Sequence, residues 1–134
     1  VLPFTGIATN SAAYIRSEFP GVEVRQHARA LQEINQGIVI TTDGGRSVHV
    51  IDAKGSEFSV QPPEVTVRDA TGAGDAFRSG LLYGLVNGKS LPESVCLGVA
   101  AGSLKVGYFG ATETLPALAE MQDLASGLTV EVVK

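Results

Sequence analysis

One stretch has the residue types and order for proton transfer beside an anion: Arg68-Asp69-Ala70-Thr71-Gly72-Ala73-Gly74-Asp75-Ala76-Phe77. Phe77, Leu81, Leu82 and Leu85 predict one apolar helix face, on a helix starting near Ala73, ending near Val86 and closed by Asn87-Gly88. The first amides of a helix have no intrahelical acceptor, and the aligned peptide dipoles add partial positive charge there. Gly72, Ala73 and Gly74 are too small to block a phosphate or oxyanion from those amides. Asp75 adds a carboxylate at the edge of this cradle. Two readings stay open: an acid that stabilises the first turn, or a general base that takes a proton from a hydroxyl attacking a phosphoryl group. Phosphoryl transfer needs positioning and charge stabilisation more than covalent help.

The rest of the chain must hold that turn in place. A short strand at Val65 and Val67 is expected to lead into it. Residues 1–7 read as the end of a strand. Thr9 or Asn10 then caps a helix carrying Ala12, Ala13, Tyr14, Ile15 and Phe19, which stops at Pro20-Gly21. A second helix over roughly 25–36 puts Ala28, Leu31 and Ile34 on one face. Gly37 to Thr42 is a continuous β-branched run that suits a strand buried on both faces, as in a parallel sheet. Asp43-Gly44-Gly45 is a turn, and 47–51 and 58–60 alternate as strands with one wet face. Ser90 caps a helix from Leu91 to Val106 whose small residues allow close approach of a neighbour. Gly107 to Thr112 is a loop, Pro116 to Ala125 a last helix, and Leu128 to Val133 a short strand or tail. The order favours an α/β layered sheet covered by helices.

Two look-alikes fail on spacing. Phe77 stands where a dinucleotide fingerprint needs its third glycine, so a nicotinamide-binding domain is the weaker alternative. Gly88-Lys89-Ser90 imitates the end of a P-loop, but Tyr83 occupies the first glycine position. The net charge of −4 argues against general nucleic-acid binding, which needs a basic surface. The longest apolar run, Val95 to Leu104, is far short of the roughly 20 residues that span a bilayer. Cys96, alone in its type, reads as a small buried hydrophobe in a reducing, cytoplasmic setting. The chain opens on Val1 rather than Met, and is expected to be a piece of a longer protein.

Asp69-Ala70-Thr71-Gly72-Ala73-Gly74-Asp75-Ala76-Phe77, followed by Ser79-Gly80, resembles the C-terminal signature of the PfkB (ribokinase-like) family of carbohydrate and nucleoside kinases, with Ala70 in place of the second residue. Ile40 to Gly44 resembles the family's strand and nucleotide loop, with Ser47 where a later glycine stands, and Gly107 to Pro116 the loop over the base. The likeness covers roughly residues 25–125. It implies a three-layer, Rossmann-like α/β sheet flanked by helices, with residues 1–134 forming only the C-terminal half and the sugar-binding half outside this sequence. It implies Asp75 as catalytic base; Gly72, Ala73 and Gly74, with the Asp75 backbone N–H, as the anion hole for the γ-phosphate; and Thr42, Gly44, Gly110 and Ala111 as nucleotide-binding residues. The implied cofactor is ATP with Mg2+, the acceptor a sugar or nucleoside hydroxyl, and the assembly a homodimer. In potassium-activated members the counterparts of Asp69 and Thr71 help to hold K+. For Asp69 a plain Asx turn stays open beside that role.

Family members also carry an Asn-x-x-Glu motif after a strand. A strand ending at Leu2-Pro3 would put Phe4 and Ile7 in those two places, and neither can touch a metal. Either the motif lies in sequence outside this chain or it has been lost, and the loss would fit a second hypothesis, a degenerate module that binds nucleotide or a partner without catalysis.

Overall fold

The structure, a computed structural model, describes residues 6–107 and 117–133. The chain divides into two compact units, Val1–Ser59 with Val130–Lys134, and Val60–Thr129.

The first unit is built on a mixed five-stranded sheet in sequential order: β1 (Ile7–Ser11), β2 (Ile38–Thr42), β3 (Val48–Ile51), β4 (Glu57–Val60) and β5 (Val130–Val133). β1 and β2 run parallel with Ile7 opposite Ile38, and β2 and β3 run antiparallel with Val39 opposite Ile51. The β-branched run is therefore buried as expected, at Val39, Ile40 and Thr41, but in a mixed sheet. A parallel neighbour needs a crossover, which α1 (Ala12–Glu18) and α2 (Val24–Asn35) supply between β1 and β2. Ala12 and Ile15 of α1 are fully buried, and Ala28 of α2 packs with Val39 and Ile51. Ile34 is 55% exposed, because six residues at helical pitch turn it away from Ala28.

Three expectations need correction in this unit. The cap of α1 is neither Thr9 nor Asn10, which lie in β1; Ser11 Oγ accepts the Tyr14 amide at 3.1 Å. Ile7 begins a strand instead of ending one, so Phe4 and Ile7 do not follow the strand that leads into α1; Phe4 itself lies outside the described residues. The residues at that strand's end are Asn10 to Ala13. No strand forms at Val65 and Val67, which are 42% and 62% exposed. Pro62 and Pro63 have no amide to offer a ladder. Just beyond, the Arg68 and Asp69 amides both donate to the Val106 carbonyl, at 2.7 and 3.1 Å.

His49, on the less buried face of β3, bonds Glu57 of β4 through Nε2 at 2.8 Å, and Arg29 of α2 reaches the other Glu57 oxygen at 3.3 Å. Burial outweighs the Glu57 carboxylate and, with Arg25 and Arg29 nearby, holds the imidazole below its ordinary pKa. A histidine depressed on folding binds fewer protons folded than unfolded. Its stabilising share is therefore complete above the unfolded pKa, about 6.5. That share falls as pH drops from there toward the lower folded value. His49→Gln is expected to flatten this part of the stability–pH curve, read from urea midpoints between pH 5 and 8.

The second unit is helical: α3 (Ala73–Val86), α4 (Leu91–Lys105) and α5 (Leu118–Ser126). Ser90 caps α4 in a capping box with Glu93. α3 and α4 meet backbone to backbone. A Cβ on Gly80 would stand 2.5 Å from the Leu97 carbonyl oxygen, and one on Gly98 would stand 2.8 Å from that of Phe77. Phe77 and Leu81 are buried as expected, but Leu82 is 56% exposed and Gly84 takes the inner position. Cys96 is buried in α4, and burial pushes its thiol pKa up. Met121 of α5 joins Leu97, Ala100 and Ala101 in the core of this unit. Among the described residues no helix is long and apolar enough to cross a membrane.

Candidate functional site

The predicted turn is present at the start of α3. Gly72 caps the helix at φ +80°, a left-handed conformation that glycine adopts without strain. The Ala73 amide turns back to the Ala70 carbonyl at 3.2 Å, and the Gly72 carbonyl accepts the Ala76 amide at 2.9 Å. The amides of Gly74 and Asp75 have no hydrogen-bond acceptor among the described residues. Before the turn, Asp69 Oδ1 accepts the Thr71 amide at 2.9 Å, so the Asx-turn reading of Asp69 holds. On its far side α4 closes in: a Cβ on Gly102 would lie 3.2 Å from the Ala73 carbonyl oxygen. Gly72→Ala would force a β-carbon into the left-handed region, and is expected to cost about 1–2 kcal/mol. A lower urea midpoint at unchanged slope is the measure.

Asp75 points outward, with its side chain 86% exposed. It pairs with Arg78 one turn along, Nη1 to Oδ1 at 3.2 Å. An exposed pair at this spacing contributes only about 0.3–0.5 kcal/mol. Asp75 is therefore neither buried in the core nor strongly held. A cleft of about 280 Å³ opens beside it, walled by Gly72, Asp75, Ser79 and Tyr83 together with Lys105 of α4 and Met121 of α5. The Ser79 hydroxyl donates to the Asp75 carbonyl at 2.9 Å. Lys105, 1% exposed, is a polar wall of the cleft that the sequence reading missed. Its signal was a lysine closing an otherwise uncharged stretch, Val95 to Leu104.

In the first unit, Thr42 ends β2 and its hydroxyl donates to the Asn10 carbonyl at 3.3 Å. Asp43 follows, held by Arg16 through two contacts at 3.0 and 2.9 Å. These hydrogen bonds keep the Asp43 carboxyl below its ordinary pKa. Gly44, at φ +57°, carries the turn that the Arg46 amide closes on the Asp43 carbonyl at 2.9 Å. Thr42 and Gly44 thus lie at the carboxyl end of β2, where ligands of open α/β sheets bind. Asn10, read from the sequence only as a cap, is the next-to-last residue of β1, beside Thr42, its Nδ2 buried and without a partner among the described residues. Its position three residues before Ala13 at a strand–helix junction could have singled it out. Gly110 and Ala111 lie outside the described residues.

The donor chemistry suits a phosphate-bearing ligand. Two unpartnered amides at a helix start suit phosphate oxygens. Mg2+ is commonly held by substrate phosphates, waters and at most one or two carboxylates, so it needs no all-protein cage.

The model of the pfkB family of carbohydrate kinases matches residues 12–118. The chain is 30% identical to a 5-dehydro-2-deoxygluconokinase of Bacillus licheniformis over 65% of its own length and 27% of that protein. It is 40% identical to a cytidine kinase of Thermococcus kodakarensis over 58% of its length and 28% of that protein. The chain thus spans about a quarter to a third of these curated relatives. An Escherichia coli structure assigned as ribokinase II, holding ATP and Mg2+, superposes with a TM-score of 0.82 at 23% identity, covering 93% of this chain and 40% of that one. The fold is that of the ribokinases.

Proposed function

Since the chain belongs to the pfkB family of carbohydrate kinases, we propose that it is the nucleotide-binding, base-bearing part of a kinase that phosphorylates a sugar or nucleoside hydroxyl with ATP. The observation that carries this reading is the start of α3: open amides after a left-handed glycine, with an outward carboxylate beside a cleft. Asp75 takes the proton of the acceptor hydroxyl as that oxygen attacks. In the turn made by Gly72 and Ala73, the Ala73 amide is taken by the Ala70 carbonyl, and the open backbone amides of Gly74 and Asp75 orient the transferred oxygens and take up their charge. In the first unit, Thr42 and Gly44 line the nucleotide; Gly110 and Ala111 belong to the same reading through the family resemblance alone. Bound ATP with Mg2+ supplies the phosphoryl group and neutralises part of its charge. Asp69 and Thr71, joined in an Asx turn just before the cradle, are the residues that would hold K+.

The names of the two relatives, one a sugar-acid kinase and one a nucleoside kinase, support this acceptor class and leave its member open. The buried cysteine and the use of ATP support a cytoplasmic setting. A sugar-binding half from the rest of the polypeptide is part of the proposal, and the piece alone is inactive. Incubating the complete protein with γ-labelled ATP and a panel of sugars and nucleosides is expected to give one acceptor-dependent labelled product. ATP binding without transfer to any acceptor would support the second reading, a non-catalytic module. Ala13 favours that second reading: counting from Asn10, it stands where the family motif has its glutamate.

A further inference from the structure

We infer that Arg16 of α1 is a positioning residue for the nucleotide loop: by gripping Asp43 it steadies the backbone between Thr42 and Gly44 and cancels a carboxylate that would repel ATP. The inference rests on the kinase reading above, through the nucleotide role of Thr42 and Gly44. Asp43 stands between those two residues, and its carbonyl accepts the Arg46 amide that closes the turn, at 2.9 Å. Its carboxylate is therefore part of the loop. Left unpaired, a negative charge there opposes the approach of a triphosphate.

The partner of that carboxylate comes from 27 residues away, with Arg16 Nη1 at 3.0 Å from Asp43 Oδ1 and Nη2 at 2.9 Å from Oδ2. Such a two-armed match of guanidinium to carboxylate fixes direction as well as charge. The arm that reaches the loop is anchored. Ser11 pairs with Thr42 in register, so α1 leaves the sheet beside the loop. Ala12 and Ile15 are buried and fasten α1 to the core. Side chains on a helix lean toward its N-terminus, so Arg16, on the second turn of α1, reaches back toward the end of β2. Arg46 is exposed and 4.0 Å from Asp43 Oδ2, too far for a hydrogen bond, so it does not replace Arg16. Arg16 is itself half-exposed, and a pair open to water adds little to stability. Its effect is therefore expected in nucleotide affinity rather than in unfolding.

The test measures equilibrium binding of ATP with Mg2+ to the complete protein carrying Arg16→Ala, Arg16→Lys, or Arg16→Ala with Asp43→Asn, with urea midpoints as the control of folding. Arg16→Ala is expected to weaken ATP binding about two- to thirtyfold, the range for residues that act on a site through their neighbours, while the midpoint scarcely moves. Arg16→Lys should keep part of the affinity, since it retains the charge without the fork. Adding Asp43→Asn to Arg16→Ala should recover part of the lost affinity, because the stranded carboxylate is gone. A pair that only braced the fold would give no such recovery. Parent-like ATP binding in Arg16→Ala, or a double variant no better than the single one, would overturn the role of Arg16 and leave the kinase reading intact. A parent protein that binds no ATP would overturn the kinase reading and this inference with it.

Discussion

Asp75→Asn in the complete protein is expected to lower turnover about 10²- to 10⁴-fold, the usual worth of a general base. The amide has the same shape as the carboxylate but cannot take up a proton. It also lacks the charge that favours the first turn of α3, a loss of about 0.3–1 kcal/mol. That is too small to unfold the chain, so intact folding with lost turnover would isolate the chemistry. Circular dichroism and a urea titration check the fold, and steady-state assays check the rate. If turnover stays within a few-fold of the parent, the acid only serves the helix.

Gly80→Ala is expected to be the most damaging single methyl in the helical unit. The added carbon would stand 2.5 Å from the Leu97 carbonyl oxygen and 2.9 Å from the Gly98 Cα. Both are backbone atoms, so no side chain can swing aside and α3 and α4 must separate. Alanine gains about 0.8–1 kcal/mol in helix propensity. Overpacking costs about 1–3 kcal/mol and here meets rigid neighbours, so the net effect is destabilising. Gly102→Ala is the control. Its Cβ would sit 3.2 Å from the Ala73 oxygen, a contact that a small shift relieves. Urea midpoints should rank Gly80→Ala well below Gly102→Ala, and equal midpoints would show that the two helices separate easily.

The parts legible in the sequence were those governed by local rules. The start of α3 could be read because small residues, an acid and an apolar face coincide within one turn. α4 could be read from Ser90 and Glu93, which close a capping box without help from elsewhere. Val65 and Val67 misled because β-branched residues look like a strand, whereas strand formation needs a partner and the following amides are taken by Val106. The antiparallel pairing of β2 with β3 depends on the tight turn at Asp43 to Arg46, not on the apolar run itself. Lys105 was overlooked because a lone cation carries no pattern; only folding buries it in the cleft wall.

Cys96 gives this protein a built-in clock. Its sulfur is buried on α4 and burial disfavours its thiolate, so thiol reagents and oxidants react with it fastest when that cover opens. The speed at which a maleimide labels it would time those openings molecule by molecule. Ligands that brace the helical unit should slow the clock without touching the sulfur.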